Sequence, residues 1–375
     1  MQARNINFGR CASCVTSYFW LEMVPLLFLS LAVQALLVAA VVPRVKLCEY
    51  ESCPEVSRIG MGALHLGDKI SGLTSASKIN TWIKAAVAAG ITLFDLADVY
   101  PVKGGDAGTS AELFGQALAL TPGLRDQIQI VAKMDIIFPT TIDTSREHLV
   151  STLDWFLTSL GTDHVDVLLL HYPDSFMNAT AVAELFVEFK SQGKVKNFGV
   201  SNHYISHFEL LQSKLDEVSA NSIKLVTNEI EISVWNPSYL NYNSGLVDHA
   251  YKSHYRNLGW SSLGGDPVGG LNRLFVRKGK RQEKILHALR QVGREMNIKD
   301  DAVVALVWVL SHPSGIVPLI GTTRTDRIQK YADAFQYVGN MTNAQWWNIG
   351  GAGGLCALAD SQCNYSEYMA SDRED

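Results

Sequence analysis

The chain has 375 residues, of which 47% are hydrophobic and 18% are charged, a composition that excludes disordered polyelectrolytes and predicts a buried core. Lysine plus arginine number 32 against 37 aspartate plus glutamate, so the net charge is -5 and no global positive field favours nucleic acid as a partner. At roughly 150 residues per domain, the length fits two or three domains, or one α/β barrel with extensions.

The N-terminal tail, residues 1–22, leads into an uncharged hydrophobic segment over 23–43. About 20 apolar residues are enough for a membrane-spanning helix. Within this segment, 38–40 reads VAA and resembles the small-residue cleavage site of a signal peptide. A surface-docked helix and a segment preceding the true start of the protein are further interpretations. The sequence predicts a hydrophobic helix extension that acts as membrane anchor or targeting signal, with a cytoplasmic location otherwise.

The six cysteines lie only near the two ends of the chain. Cys11 and Cys14 have the C-x-x-C spacing of redox and zinc sites, but no second pair accompanies them, which favours a chemically idle tail. The remaining four could form disulfides in an oxidising compartment, with the pairing left open. They are Cys48, Cys53, Cys356 and Cys363.

From 54 to 350 the chain alternates β-branched apolar runs with amphipathic stretches of helix length. The predicted strands are 56–64, 91–95, 128–133, 165–171, 195–200, 224–228, 257–260 and 316–320. The predicted helices are 77–89, 109–119, 145–160, 179–193, 204–215, 281–297, 300–311 and 324–334. The strands are apolar on both faces, as parallel strands covered by helices are, and no Gly-x-Gly-x-x-Gly follows one of them. The pattern predicts the α/β class, as one (β/α)8 TIM barrel over 54–350 with a polar tail over 351–375.

Polar side chains collect at the C-terminal ends of the predicted strands, where such barrels keep their active sites. Asp95 ends the second strand and Tyr100 follows it, Lys133 ends the third strand, and His171 ends the fourth. Each residue alone has a structural explanation, but four together favour one site. A buried cation such as Lys133 eases proton release from a phenol. With Asp95 orienting Lys133 and His171 binding a carbonyl oxygen, Tyr100 is predicted to protonate a developing alkoxide.

These residues stand in motifs that resemble the aldo-keto reductase family, in particular its bacterial-type oxidoreductase branch. In chain order the motifs are FDLADVY at 94–100, VAKMD at 131–135, HVDVLLLHYPD at 164–174, GKVKNFGVSNH at 193–203, TNEIEIS at 227–233, LGWSSLGG at 258–265 and PLIGTTRTDRI at 318–328. The resemblance implies a tetrad of Asp95, Tyr100, Lys133 and His171, with Tyr100 as the general acid. It also implies NADPH-dependent reduction of an aldehyde or ketone to the alcohol, a reaction that needs no metal.

The same resemblance implies a nicotinamide cofactor across the barrel mouth. Ser201 and Asn202 would hold the carboxamide, and Trp260 would stack on the nicotinamide ring. Arg327 matches the family arginine near the adenine and the 2′-phosphate, which favours NADPH over NADH. The residues expected along the pyrophosphate and the adenosine phosphate are Ser261, Leu263, Gly264, Gly321, Thr322 and Thr323.

Three features depart from the pattern that the family commonly shows. Glu229 stands where a glutamine usually lies beside the carboxamide, and an ionised carboxylate is an acceptor only. Pro101 and the loop over 102–108 differ after the tyrosine, so the shape of the substrate pocket is not inherited. Many members have an N-terminal hairpin below the barrel, whereas here the first strand is expected to follow directly on 51–54.

The sequence leaves two rival functions open. One is an NADPH-binding sensor or regulatory subunit of a membrane complex with little turnover, since potassium-channel β subunits look similar. The other is an aldolase that uses Lys133 as a Schiff-base nucleophile, which a charged, paired lysine disfavours. The expected partner is a small-molecule carbonyl substrate, with membrane association through 23–43 as a further expectation. The sequence leaves the oligomeric state and the substrate open.

Overall fold

The computed structural model describes residues 41–69, 71–100, 109–137, 141–241, 243–265 and 272–356. Several predictions lie outside these residues: the tail and nearly all of the hydrophobic segment, the loop over 101–108, and the polar tail from 357 onward. Cys11, Cys14 and Cys363 lie outside them as well. Within the described ranges, no helix has both the length and the apolar character that crossing a bilayer requires.

A short antiparallel hairpin precedes the barrel. Strand β1 (Arg44–Lys46) pairs with strand β2 (Glu55–Ser57), and Val45 lies opposite Val56. The expectation that the first barrel strand follows directly on 51–54, with no hairpin before it, is therefore wrong. Each strand of the hairpin has only three residues, which is too short to show the alternation of apolar and polar residues that predicts a strand.

The predicted strand over 56–64 is in fact two strands separated by a bend. The hydroxyl group of Ser57 donates to the carbonyl oxygen of Ile59 at 2.6 Å. The same hydroxyl oxygen accepts hydrogen bonds from the amides of Thr92 and Leu93, at 2.9 and 3.0 Å. A side-chain oxygen thus takes the place of a backbone partner and turns the chain. The apolar run looks continuous in the sequence, which is why the bend was not predicted.

The hairpin lies at the N-terminal ends of the barrel strands. The amide of Arg256, just before a barrel strand, donates to the carbonyl oxygen of Leu47 at 2.7 Å. Cys48 forms an isolated antiparallel bridge with Tyr255 and a disulfide with Cys53. Cys356 is disulfide-bonded as well. The disulfide therefore closes the hairpin on the face of the barrel opposite its mouth.

The remaining strands confirm the predicted (β/α)8 barrel. In chain order they are β3 (Gly60–Gly62), β4 (Leu93–Ala97), β5 (Gln129–Met134), β6 (Ile136–Ile137), β7 (Thr141–Ile142), β8 (Val165–Leu170), β9 (Val195–Ser201), β10 (Leu225–Glu231), β11 (Leu258–Trp260) and β12 (Val317–Ile320). Eight of them form a closed parallel barrel in the order β3-β4-β5-β8-β9-β10-β11-β12, with β12 paired to β3. Strands β6 and β7 form a separate antiparallel pair directly after β5.

Helices cover the outside of the barrel. They are α1 (Ala76–Ala88), α2 (Thr109–Ala119), α3 (Arg146–Leu160), α4 (Ala179–Ser191), α5 (Ile205–Ser219), α6 (Leu246–Lys252), α7 (Lys280–Glu295), α8 (Asp301–Leu310), α9 (Thr325–Ala332) and α10 (Asn343–Ala352). Ser145, Asn178 and Asp300 cap the starts of α3, α4 and α8, each accepting a backbone N–H in its side chain. These caps fix where the helices begin, and hence the length of the loops between strand and helix.

The core lies between the strands and the helices and inside the barrel. Every residue of β8 is buried, as is expected for a strand covered on both faces. Phe186 of α4 stacks on Phe198 of β9 with ring centroids 4.3 Å apart. Gly115 allows α2 to approach α3 closely, because a β-carbon at this position would overlap the carbonyl oxygen of Ser159. The packed barrel provides a rigid support for the side chains at its mouth.

The chain packs on the barrel beyond residue 350. Trp346 of α10 stacks on Trp308 of α8 with ring centroids 5.0 Å apart. Each indole N–H donates to the backbone carbonyl oxygen of the other tryptophan, at 2.9 and 3.0 Å. Leu355 is buried after the end of α10. The first residues of the predicted polar tail, 351–356, therefore belong to the packed structure.

Candidate active site

The candidate site lies at the C-terminal ends of β4, β5 and β10. Strand register brings its residues together, since Ala97 of β4 lies opposite Lys133 of β5, and Glu229 of β10 lies opposite Ser201 of β9. Asp95 stands two residues before Ala97 and so shares its face of the strand. Polar residues on that face point into the barrel, where neighbouring strands bring them into contact.

Lys133 is the centre of a buried ionic cluster. Its Nζ lies 2.5 Å from each carboxylate oxygen of Asp95 and 2.8 Å from Oε1 of Glu229. The exposed fractions are 1% for Lys133, 3% for Asp95 and 1% for Glu229. Buried charges are tolerated only when they are paired and hydrogen-bonded, and Lys133 meets this condition with two carboxylates. The second oxygen of Glu229, Oε2, is buried and has no hydrogen-bond partner among the described residues.

The charges in the cluster shift each other's pKa. Burial alone would lower the pKa of Lys133, but the facing charges of Asp95 and Glu229 raise it well above its ordinary value. Lys133 is therefore an ammonium ion throughout the physiological range. Burial raises the pKa of Glu229 to about 8, and the neighbouring Asp95 carboxylate acts in the same direction.

Tyr100 stands three residues after the end of β4. Its backbone amide donates to the carbonyl oxygen of Ala97 at 3.2 Å. The Nζ of Lys133 lies 5.4 Å from the centroid of its ring. Burial raises the pKa of Tyr100, and the positive charge of Lys133 opposes this effect. The phenol is protonated at neutral pH, beside a cation that would stabilise its conjugate base.

His171 follows β8 directly, and backbone contacts orient it. Its amide donates to Oδ2 of Asp135 at 2.8 Å, and its carbonyl oxygen accepts from Nδ2 of Asn202 at 3.1 Å. Burial, together with the positive charge of Lys133, lowers the pKa of His171 well below its ordinary value. The imidazole is therefore neutral, and its Nδ1 is buried without a hydrogen-bond partner in the described part of the chain. A neutral imidazole can donate one hydrogen bond to a carbonyl oxygen.

The residues expected beside the carboxamide form a connected group around Asn202. The backbone amide of Asn202 donates to the backbone carbonyl oxygen of Glu229 at 2.8 Å, and the hydroxyl group of Ser201 donates to the same oxygen at 3.0 Å. The indole N–H of Trp260 donates to Oδ1 of Asn202 at 3.0 Å, which fixes the plane of the ring. Asn202 adopts a left-handed backbone conformation with φ 59°, which asparagine tolerates better than most residues. The group lies at the rim of the barrel between β9 and β11.

The loop after β11 carries the residues expected along the pyrophosphate. Ser261 and Gly264 have positive φ values of 53° and 70°, and the amide of Gly264 donates to the carbonyl oxygen of Ser261 at 2.7 Å. Leu263 stands between them and packs partly buried against the core. The amide of Arg273 donates to the carbonyl oxygen of Gly264 at 2.9 Å, and the Arg273 guanidinium forms a salt bridge with Glu231. This salt bridge ties the loop to the end of β10.

The residues expected near the adenosine phosphate follow β12. A β-carbon at Gly321 would meet no heavy atom within 4 Å among the described residues, so the backbone there faces open space. The carbonyl oxygen of Thr322 accepts from the indole N–H of Trp82 at 2.9 Å. Thr323 is partly buried, and Arg327 is exposed on α9. These residues follow β12, the barrel strand next to β11, and so lie beside the preceding group.

Two carboxyl groups behind the site, Asp135 buried and Asp98 partly buried, were not predicted. The amide of Asp135 donates to Oδ2 of Asp98 at 3.2 Å, and the Asp135 carboxylate accepts from the amides of His171 and Tyr172. Asp135 has a φ of 112°, which is strained for any residue except glycine. The motif VAKMD shows an acidic residue after a strand, a signal that equally fits a helix cap. Only the tertiary structure reveals that this carboxyl group holds the backbone of His171.

Comparisons with known proteins show the family to which the chain belongs. A model described as the aldo/keto reductase family matches residues 58–349. The chain is 34% identical over 310 residues to the 6-dehydroglucose reductase of Agrobacterium fabrum, covering 79% of this chain and 93% of that protein. It is 34% identical over 304 residues to the oxidoreductase YdhF of Escherichia coli, with the same coverage of 79% and 93%.

A solved structure has the same fold. The thermostable aldo-keto reductase Tm1743, in complex with the inhibitor epalrestat, superposes with a TM-score of 0.65 at 20% sequence identity. The superposition covers 83% of this chain and 99% of the other. At this level of identity the likeness concerns the barrel and not the details of the site.

Proposed function

This chain belongs to the aldo/keto reductase family of oxidoreductases, and from that premise we propose that it reduces an aldehyde or ketone to the alcohol with NADPH. The single observation that carries the proposal is the buried ion pair of Lys133 and Asp95, with the phenol of Tyr100 beside the ammonium group. A buried, charged lysine next to a protonated phenol and a neutral imidazole is suited to moving one proton to a carbonyl oxygen.

The residues at the mouth fit a nicotinamide nucleotide. The buried Oε2 of Glu229 offers an acceptor to an amide group, and the backbone carbonyl oxygen of Glu229 is hydrogen-bonded to both Ser201 and Asn202. The ring of Trp260 is partly exposed and held in plane by its hydrogen bond to Asn202, which suits stacking. The open backbone at Gly321 leaves room for a phosphate group to approach. The exposed Arg327 supports NADPH over NADH, since a guanidinium pairs well with a 2′-phosphate.

Bound NADPH would supply the hydride that reduces the carbonyl carbon. Tyr100 acts as the general acid and gives its phenolic proton to the carbonyl oxygen as negative charge develops there. Lys133 stabilises the phenolate that remains, and Asp95 keeps Lys133 charged and oriented. His171, neutral, donates a hydrogen bond to the same oxygen and aligns it. The same charge pairing argues against an aldolase, because an ammonium ion held by two carboxylates is a poor nucleophile.

The test is NADPH consumption by the full chain in mild detergent, against a panel of aromatic aldehydes, diketones and oxidised sugars. Absorbance of NADPH should fall only when a carbonyl compound is present. The matched variant Tyr100→Phe removes one oxygen and should lower kcat by about 10²-fold or more, since the general acid is lost. Its affinity for NADPH, measured by fluorescence, should be unchanged.

The alternative function predicts a different result. A sensor or regulatory subunit would bind NADPH tightly but consume it slowly with every carbonyl in the panel. Equal, slow NADPH loss in wild type and Tyr100→Phe would therefore contradict the reductase proposal and favour the sensor.

A further inference from the structure

Lys133 carries one positive charge and faces two carboxylates. Asp95 already holds Nζ with both of its oxygens at 2.5 Å, so the ion pair is complete without a second acid. Glu229 adds a third contact at 2.8 Å from the other side of the barrel, on β10. When both acids are ionised, the cluster has a net charge of -1 instead of zero. At this burial, one extra charge acts strongly on any titratable group in contact with the cluster.

Tyr100 is the titratable group that this extra charge reaches. The charges that act on the phenol are the ammonium of Lys133, which favours the phenolate, and the carboxylates of Asp95 and Glu229, which oppose it. His171 is neutral and adds no charge. The nearby Tyr172 is also neutral at ordinary pH, since a phenol ionises only near pH 10 and the pKa of Tyr172 is raised. Glu231 is paired with Arg273. Among these described groups, Glu229 is the one whose charge is not needed to balance Lys133.

Glu229 gains its charge in the pH range where that charge matters. Burial raises the pKa of both Asp95 and Glu229, that of Glu229 to about 8. Both oxygens of Asp95 contact Nζ but only one oxygen of Glu229 does, so Glu229 is the carboxyl group that holds the proton at pH 7 and ionises as the solution becomes alkaline. The new negative charge is therefore already present at the higher pH at which hydroxide would begin to remove the phenolic proton, because burial raises the pKa of Tyr100 above its ordinary value. Its buried Oε2, with no partner in the described residues, leaves this charge without a second compensating donor.

We propose that Glu229 is a positioning residue that keeps the proton on Tyr100 and thereby biases this protein toward carbonyl reduction over alcohol oxidation. This inference rests on the proposed function. In reduction the carbonyl carbon gains a hydride from NADPH, the Tyr100 O–H bond breaks, and the alcohol O–H bond forms, leaving NADP⁺ and a phenolate that takes a proton from water. Oxidation runs the same steps backward and needs the phenolate before it starts.

The first experiment is a spectrophotometric titration of tyrosine in the cofactor-free protein. Glu229→Gln keeps the size of the side chain and removes the charge. Subtracting the titration of Tyr100→Phe from that of the wild type gives the ionisation of Tyr100 in the wild type. Subtracting the titration of Glu229→Gln/Tyr100→Phe from that of Glu229→Gln gives the ionisation of Tyr100 in the variant. Tyr100 is expected to ionise at lower pH in Glu229→Gln than in wild type. Glu231→Gln, the same change two residues along β10, should leave the ionisation of Tyr100 unaltered, since Arg273 faces it.

The second experiment compares the two directions of turnover at one fixed pH above 8, where Glu229 of the wild type is ionised. Each pKa unit by which Tyr100 becomes more acidic should raise the ratio of kcat for oxidation to kcat for reduction by about tenfold. In the pH profile of the reduction rate, the decrease at alkaline pH should move to lower pH. Glu229→Met, which also removes the charge, should behave in the same way and provides the measurement if Glu229→Gln does not fold. An unchanged tyrosine titration with an unchanged ratio would overturn the inference. A shifted titration without turnover in any variant would instead contradict the proposed function.

Discussion

Lys133 serves the site and the fold at once. Its ammonium group balances Asp95 and Glu229 in the barrel interior, so removing it leaves two carboxyl groups without their cation. Breaking a buried ion pair by deleting one partner costs about 3–5 kcal/mol of stability. The loss of stability is smaller where Asp95 and Glu229, which no longer face a cation, become protonated.

We therefore expect Lys133→Met to lose about 10²-fold or more in kcat and about 3–5 kcal/mol in the free energy of unfolding. Urea titration and NADPH consumption measure the two effects. The double variant Asp95→Asn/Lys133→Met should recover much of the stability and none of the activity. Recovery of activity in the double variant would show that the pair acts only in folding.

Asp98 makes the stability of the protein depend on pH. Burial raises the pKa of Asp98 to about 7, and burial with the nearby Asp98 charge raises that of Asp135 well above its ordinary value. The folded chain then binds more protons than the unfolded chain between about pH 4 and pH 7. Stability is present below the unfolded pKa of the carboxyl groups and is lost as the pH rises through the folded pKa.

Wild-type protein should accordingly be less stable at pH 7 than at pH 5, as measured by urea unfolding at each pH. Asp98→Asn removes one of the carboxyl groups with a raised pKa and removes the charge that acts on Asp135, so the difference between the two pH values should shrink. Asp126→Asn, on an exposed carboxylate, is the matched control and should keep the wild-type difference. If Asp98→Asn kept the whole wild-type difference in unfolding free energy between pH 5 and pH 7, Asp98 would not be a source of the pH dependence.

The hairpin of β1 and β2 is an element whose stability depends on a covalent bond. Strands of three residues bury little surface, and the disulfide between Cys48 and Cys53 joins their ends across a separation of 5 residues. By loop-closure entropy such a short loop contributes about 2 kcal/mol.

Replacing both cysteines, as Cys48→Ser/Cys53→Ser, should lower the free energy of unfolding by about 2 kcal/mol. The double variant is preferable to a reducing agent because Cys356 is also disulfide-bonded. Activity per folded molecule should stay the same, since the hairpin lies at the end of the barrel opposite the mouth. A loss of turnover without a loss of stability would show that the hairpin influences the site.

The elements differ in how well the sequence predicts them. Long apolar runs such as VDVLLLH and long amphipathic stretches predict the barrel, because burial on both faces leaves no polar alternation. The hairpin was missed since its strands are short and a serine side chain, Ser57, makes the bend. The predicted start of the helix over 179–193 agrees with the start of α4 at Ala179, which Asn178 caps.

At the scale of the whole molecule, the order of motifs along the chain predicts which strands carry polar groups. Asp95, Lys133 and His171 stand out because charge at the end of an apolar strand is costly unless it is used. The structure brings Asp95, Lys133 and Glu229 into direct contact, while the catalytic and cofactor roles of the site residues stay predictions. The contact of Glu229 with Lys133 and the burial of Asp135 arise from strands distant in sequence, so no local pattern contains them.

The hairpin and the Lys133 cluster lie at opposite ends of the same strands. Strands of about six residues separate them by roughly 20 Å, and substitutions that far apart add independently in their effects on stability. A substitution that stabilises the hairpin would therefore raise the free energy of unfolding without changing the activity. The protein would then stay folded with substitutions at the barrel mouth that lower its stability. In an evolving lineage or a laboratory selection, destabilising substitutions at the mouth that change the substrate can therefore be offset by stabilising substitutions in the hairpin.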